Sequence, residues 1–320
     1  LNNVSTVKNQ IRVRAANAEA LIIGDALIDH QYWIHEMPKS GEDVAILSSA
    51  SHSGGSAANT AIALQKQGVT CAFCGRLGND KFGLDIIEQM KEIGIDISCI
   101  QYSGDTGYTL TIIDRHGERT MFSYRNAYAF RPAMTKELLH TIQKAKVLFL
   151  SGYMLIDKQQ ADFVIDAARY AKRKGCYVML DASPVIGQAD GDMVSAVLSL
   201  TDIILPNRLE LEMLSHTTDL SVGLERLHQY VPCIALKLGG KGSRLSIMPG
   251  FPLPDGRILN DKEEYSAEVE RVSVIDTTGA GDSFNAGFTA SFLRCETPDK
   301  WIKAGNVLAS QVVARKGGGF

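Results

Sequence analysis

Val272-Ser273-Val274-Ile275-Asp276-Thr277-Thr278-Gly279-Ala280-Gly281-Asp282-Ser283-Phe284 is the stretch that decides how this 320-residue chain is read. Its β-rich start, Val272 to Ile275, reads as a short strand, and Ser283 to Leu293 reads as a helix. The intervening glycines permit a tight turn and close backbone approach. A helix start leaves N–H groups without intrahelical partners, and with the positive end of the dipole these make an anion site. Asp282 stands at that start, facing the anion. An Asp N-cap in a glycine turn is the plainer reading. The seven-residue string Asp276 to Asp282, set between strand and helix, is far more specific than Gly-Ala-Gly-Asp alone.

Working outward, short apolar runs alternate with helix-like segments. Ala20 to Ile23 reads as a strand ending at Gly24-Asp25, and Ser56 to Gln67 as a small-residue helix after a double glycine. Val69 to Gly75 reads as a strand. Lys81 to Ile93 is amphipathic, with Phe82, Ile86, Ile87 and Met90 at helical spacing and a stop at Gly94. After residue 145 the pattern returns: strands at Val147 to Leu150, Tyr177 to Leu180, Ile203 to Leu205 and Cys233 to Leu238, with a helix at Gln159 to Lys174. Such alternation implies an α/β fold with a parallel sheet covered on both faces. Ligands in such folds lie beyond the carboxyl ends of the strands. The middle differs. Val44 to Ser51, Tyr108 to Asp114 and Arg119 to Tyr124, the last two flanking the turn His116-Gly117, read as antiparallel strands. Pro249 to Lys262 reads as a surface loop.

Composition excludes several classes. Apolar residues make up 45% of the chain, charged residues 22%, and the net charge is −3, without the basic footprint of a nucleic-acid binder. No apolar run suggests a membrane span, and Leu1 to Glu19, an N-terminal extension, is given no role in the fold. Cys71 and Cys74 form a Cys-x-x-Cys, read as a redox or metal pair or as two buried strand residues. No second Cys or His pair completes a zinc set, so the strand reading is preferred, and a reducing cytoplasm fits the six scattered cysteines. A P-loop is absent: Gly240-Lys241 is followed by Gly242, and Ala235 stands where its first Gly belongs. Leu21 to Leu27 holds one Gly, too few for a dinucleotide fingerprint.

Two separated segments resemble the ribokinase, or PfkB, family of carbohydrate kinases. Asp276 to Phe288 is similar to its C-terminal signature, and Gly54-Gly55-Ser56-Ala57-Ala58-Asn59 with Gly75 to Gly83 to its N-terminal one, in the same order. The resemblance implies a three-layer αβα domain over residues 20–320, with a mostly parallel central sheet and a small β-sheet lid. The core would take about 20–31, 54–97 and 126–320, and the lid about 32–53 and 98–125. It also implies roles. Asp282 is the catalytic base, and Gly279, Ala280 and Gly281 form an anion hole for phosphoryl charge. Asp29, Gly54, Gly55 and Asn59 bind the sugar. Asn207 and Glu210 match an Asn-x-x-Glu motif whose Glu organises Mg2+ through water; their plainer reading is a turn and a solvated helix start. Lys237, Gly239, Gly240 and Gly242 line the ATP phosphates, and Asn306 lies beside adenine. Asp276 falls where some members hold K+. Lys237 and Asn306 have solvent-exposed surface readings as alternatives.

The resemblance implies an ATP-dependent kinase acting on a hydroxyl of a small carbohydrate of ribose, fructose or 2-keto-3-deoxygluconate type. Tyr153 stands where ribokinase has a Glu, and Ser56 where it has a Lys, which counts against ribose. Tyr124-Arg125-Asn126 is similar to fructokinases and 2-keto-3-deoxygluconate kinases, with Arg125 a candidate for the acceptor. A nucleoside or sugar-phosphate kinase is the alternative, the latter drawing on Arg125 and Arg131. A non-catalytic ATP or sugar sensor is a third reading, against which the intact Gly279 to Asp282 stands. The expected partners are sugar and ATP, with no nucleic acid and no membrane, and the lid offers a face for a homodimer. A helix N-terminus favours the ionised Asp282, so the expectation is a weak base at neutral pH that accepts its proton late.

Overall fold

The computed structural model describes residues 18–124, 132–270 and 272–315. Arg125, Arg131 and Gly317 to Phe320, and most of the N-terminal extension, lie outside the described residues. In chain order the elements are β1 (Ala20–Ile23), β2 (Leu27–Ile34), β3 (Ile46–Gly54), α1 (Ser56–Lys66), β4 (Cys71–Cys74), β5 (Arg76–Leu77), α2 (Lys81–Ile93), β6 (Gln101–Tyr102), β7 (Gly107–Ile113) and β8 (Arg119–Tyr124). They continue as α3 (Lys136–Lys144), β9 (Val147–Ser151), α4 (Lys158–Arg173), β10 (Tyr177–Asp181), α5 (Gly191–Leu198), β11 (Ile203–Ile204), α6 (Arg208–Ser215), α7 (Leu220–Leu227) and β12 (Cys233–Lys237). The last are β13 (Ser243–Ile247), β14 (Glu263–Ala267), α8 (Ala280–Leu293) and α9 (Pro298–Val313).

The apolar runs become strands because each is buried on both faces. Ala20 and Ile22 of β1 point into one core with Phe73, Phe149, Phe288 and Trp301, while Leu21 and Ile23 point into a second with Leu148, Leu150, Ile142 and Phe163. Period-two alternation thus feeds two helical layers at once. The central eight-stranded sheet runs β14-β13-β12-β11-β10-β9-β1-β4. The strands from β4 to β12 pair in parallel, and β13 and β14 complete the edge antiparallel. From β1 the chain moves outward to β4 and returns on the other side to β9. That reversal opens a crevice at the carboxyl ends of β1 and β9.

Helix α8 lies within the first core, with Ser283 to Leu293 all buried. It packs on α9 so closely that a Cβ at Gly287 would stand 2.5 Å from the Ala304 carbonyl oxygen. A second sheet, β3-β2-β7-β8, forms the lid.

The structure differs from the sequence reading at several points. Leu27–Ile34 is a lid strand, so Asp29 sits in the small sheet rather than the core segment. The β2 to β7 pairing is parallel, and only the two outer pairs of the lid are antiparallel. Val272 to Ile275 is irregular and exposed, because among the described residues no neighbouring strand offers it a ladder. The strand before the motif is instead Glu263–Ala267, paired to β13. Phe82 leaves the apolar face of α2, is 40% exposed, and meets the His30 ring edge-on at 5.4 Å. In the loop from Pro249 to Lys262, Phe251 and Leu253 are buried and anchor it to the core. Cys71 and Cys74 are free and buried, and burial pushes both thiols up, as expected of strand residues. Among the described residues no helix is long and apolar enough to cross a membrane.

Gly242 has φ of 84°, and a Cβ there would stand 2.0 Å from the Ala267 carbonyl oxygen. Gly242→Ala should therefore destabilise the fold by about 1–3 kcal/mol, read as a lowered midpoint in urea. An unchanged midpoint would contradict this packing.

Candidate active site

The parallel strands deliver their polar ends to one edge. Asp25 follows β1, Asp181 closes β10, Asn207 follows β11 and Lys237 closes β12. Two helix starts face them, α1 after Gly54-Gly55 and α8 after Gly279. The double glycine is a requirement of space. A Cβ at Gly54 would lie 2.2 Å from Asp29 Oδ2, and one at Gly55, where φ is 101°, would lie 2.6 Å from the Asp25 carbonyl oxygen. Glycine here lets both acidic residues close on the start of α1.

Asp282 occupies the first turn of α8, after Gly279 at φ 74°. The Oγ of Ser56 donates to its Oδ1 at 2.6 Å and Asn59 Nδ2 donates to its Oδ2 at 3.0 Å. The first turn of α1 thus holds the acidic residue of α8. Ser56 also lies 3.4 Å from Asp181 Oδ2. Lys237 Nζ donates to Asp181 Oδ1 at 2.8 Å and to Asn285 Oδ1 at 3.2 Å, and it lies 3.8 Å from where a Cβ on Gly281 would stand. Lys237 is therefore drawn inward rather than into solvent: its side chain is 13% exposed and that of Asp181 8%.

Electrostatics follow from this crowding. Burial, reinforced by the charges of Asp181 and Asp25, pushes the Asp282 carboxyl up from 3.8 to about 7, against the hydrogen bonds from Ser56 and Asn59. The expectation of a weak base is thereby corrected: desolvation and like charge outweigh the helix dipole, and a group near 7 suits proton transfer at neutral pH. Burial also raises Glu210, with Asp181 adding to it. Burial alone would lower Lys237, but Asp181 and Glu210 hold it above its ordinary value.

Asn207 and Glu210 form a reciprocal capping box. Glu210 Oε2 accepts from the Asn207 N–H at 2.7 Å, Oε1 from Asn207 Nδ2 at 2.8 Å, and Asn207 Oδ1 accepts from the Glu210 N–H at 2.9 Å. It is a helix start, but a buried one, since Glu210 is only 3% exposed. Gly239 and Gly240 lie in the 3-10 turn after β12, where a side chain on Gly240 would meet open space. Asn306 is buried on α9, and its Nδ2 donates to the Ala267 carbonyl at 3.0 Å. It lines an open cleft of about 610 Å³ with Glu268, Val272, Val307 and Arg315. Tyr153 stands half-buried in the 3-10 turn Gly152–Leu155 at the end of β9. The structure thus gathers Asp282, Asn59, Lys237 and the Gly279 to Gly281 turn, and sets Asn306 in the adjoining cleft.

Sequence reading marked Asp25 and Asp181 as strand ends, where ligands are expected, but gave neither a role in the site. Ser56 was noticed only as a departure. Arg119 carried no signal: it is brought in by the lid, and its Nη2 donates to Asp276 Oδ1 at 2.9 Å. Burial would raise Asp276, but Thr278 and Arg119 hold its carboxyl down at about 2.

The fold, a mostly parallel sheet with a small β lid, goes with a class that the relatives of this chain share: phosphotransferases with an alcohol group as acceptor. More particularly, residues 17–320 match the model for pfkB family carbohydrate kinases, and the chain belongs to that family. It is 26% identical to a ribokinase of Arabidopsis thaliana over 310 residues, covering 93% of this chain and 76% of that one. It is 28% identical over 275 residues to a 5-dehydro-2-deoxygluconokinase of Halalkalibacterium halodurans, covering 82% and 80%. Among solved structures, Arabidopsis thaliana ribokinase complexed with ribose and ATP superposes with a TM-score of 0.78 at 24% identity, over 94% of each chain.

A carboxyl group raised on folding binds more protons folded than unfolded, so its contribution to stability falls as pH climbs from 3.8 through about 7. Asp282→Asn keeps an acceptor for Asn59, turns the Ser56 contact into one in which the amide donates to Oγ, and removes the charge. It should raise the melting temperature above pH 7, with the gain shrinking under acid; a gain independent of pH would contradict the assignment. Lys237→Met leaves Asp181 buried without its counter-charge and should cost about 3–5 kcal/mol, measured by denaturant unfolding. A near-neutral effect would show that the pair is not buried as described.

Proposed function

We propose that the protein transfers the γ-phosphoryl group of MgATP to a hydroxyl of a small carbohydrate, with Asp282 as base. The observation that carries this reading is the Asp282 carboxyl, held by Ser56 and Asn59 at the start of a buried helix and raised to about 7. The acceptor oxygen attacks the γ-phosphorus in line, its proton passes to Asp282, and the bond to the β-bridging oxygen breaks to release ADP. First-turn N–H groups around Gly279, Ala280 and Gly281 meet the charge on the transferring oxygens. Magnesium arrives with the nucleotide. Among the described residues no cluster of His, Cys, Asp and Glu side chains could hold a metal ion by itself. Glu210, its oxygens each taking one hydrogen bond from Asn207, retains lone pairs for a metal-bound water, the mode magnesium favours. Lys237, near Gly281, supports a role beside the phosphates, and the cleft at Asn306 supports an adenine site.

The lid supports a polyhydroxylated acceptor. Cross-strand register puts Asp29, His52, Thr109 and Ser123 on one face, with Gln31 and Thr111 in the next row. That face is rich in groups that pair with hydroxyls. The rings of His30, Tyr108 and Tyr124, which a nucleobase would stack on, are on the other face, in contact with one another.

The test is ADP release from purified protein against sugars, sugar acids, sugar phosphates and nucleosides. A sugar or sugar acid is expected to be the best acceptor, with kcat/KM rising as pH passes about 7. Asp282→Asn should lower kcat by on the order of 10²–10⁴ with ATP binding retained. Turnover of nucleosides alone would replace the acceptor class, ATP binding without any turnover would favour a sensor, and an active Asp282→Asn would remove the base.

A further inference from the structure

Asp276 is the residue that the family resemblance linked to potassium, and its surroundings do not fit that ion. Its Oδ1 already accepts three hydrogen bonds, from the Thr278 N–H at 2.9 Å, Thr278 Oγ1 at 2.7 Å and Arg119 Nη2 at 2.9 Å. The last comes from a cation. The other arm of the same guanidinium, Nη1, donates to Thr278 Oγ1 at 2.6 Å. Arg119 therefore grips a carboxylate and its neighbouring hydroxyl together, using a fork that a spherical ion lacks. The Asp276 side chain is 8% exposed and that of Arg119 36%. A carboxylate so enclosed requires a counter-charge, and a second cation at this oxygen would meet the guanidinium.

Arg119 is not a local partner. It opens β8, the edge strand of the lid sheet, and comes from 157 residues away in sequence. Register puts it on the same face as Asp29 and Thr109, two residue rows further along the lid. On its far side the loop is pinned by α9, where the Val313 carbonyl accepts from the N–H groups of Ile275 at 2.8 Å and Asp276 at 3.3 Å. The loop that leads into Gly279 is thus held between a core helix and a lid strand.

We propose that Arg119 is the built-in cation of this loop, a positioning residue on the lid that takes the place of an alkali ion and ties the order of the Gly279 to Asp282 helix start to the position of the lid. The proposal rests on reading Asp276 to Asp282 as the phosphate-transfer loop. The wild-type chain then needs no potassium, because its own lid supplies the charge. Movement of the lid away from the core withdraws that charge and leaves Asp276 with Thr278 alone.

The deciding experiment needs neither nucleotide nor acceptor. Thermal denaturation of the full chain is followed in potassium chloride and in choline chloride at matched ionic strength. Wild type should melt at the same temperature in both salts. Arg119→Gln should melt lower and gain a saturable, potassium-specific rise, and Arg119→Lys should show no such rise. A saturable potassium response in wild type, or none in Arg119→Gln, overturns the proposal. With the acceptor found by ADP release, Arg119→Gln should lower kcat by on the order of 10²-fold, leave the KM for ATP nearly unchanged, and recover in part with potassium chloride. Equal losses in the Gln and Lys variants without recovery count against it. Should wild type turn over no acceptor, the transfer reading fails while the denaturation arm still decides the cation.

Discussion

Ser56 and Asn59, on the first turns of one helix, hold Asp282, on the first turn of another more than two hundred residues away. The rest of the architecture serves to bring those turns together out of water. The sheet must be parallel so that strand ends meet at one edge, and the chain must reverse at β1 so that a crevice opens there. Helix α8 is buried on every side, its polar Ser283, Asn285, Thr289 and Ser291 included, so that its start can be sunk among other groups. A carboxyl group in such a place carries a desolvation cost, increased by Asp181 and Asp25. The fold bears it through the large apolar cores on either side of the sheet.

Charge gives the cleft a second character. The carboxylates of Asp181, Glu210 and Asp282 act on the Lys237 ammonium, which is bonded to Asp181, and Asp25 adds its charge at Asp282. A cleft so weighted toward negative charge is poor at receiving a bare polyphosphate. On the function proposed above, it is better matched to one that brings a divalent cation, and the α8 start would meet the group in transfer. The lid adds the opposite sign through Arg119, which lands on Asp276 rather than in the carboxylate cluster.

Much of this was legible in the residues. Strands β1, β9, β10 and β12 announced themselves as unbroken apolar runs because both their faces are buried. The Gly-Gly turn announced itself because a Cβ at Gly54 or Gly55 has no room, and the Gly-Ala-Gly turn because Gly279 takes a left-handed backbone. Leu27–Ile34 was harder: it begins three residues after β1 and mixes polar with aromatic residues, as a lid strand half in water does. Val272 to Ile275 had β-branched composition but no partner strand among the described residues, and composition does not make a ladder. The raised Asp282 was beyond reach, since it depends first on burial and then on carboxylates that tertiary folding brings near, Asp181 at the end of β10 and Asp25 just after β1. The grip of Arg119 was equally out of reach, being a matter of how a hairpin leans over the core.

Helix α9 is a single rigid rod that touches two places of different character. Near its middle, Asn306 forms part of the wall of the 610 Å³ cleft, and at its end the Val313 carbonyl holds the backbone of Ile275 and Asp276. Its seat against α8 is a glycine contact with no slack, since a Cβ at Gly305 would strike the Phe284 ring at 2.7 Å. One helix therefore contributes both a wall of the cleft and an anchor of the loop that leads into Gly279, so neither can be repositioned without the other.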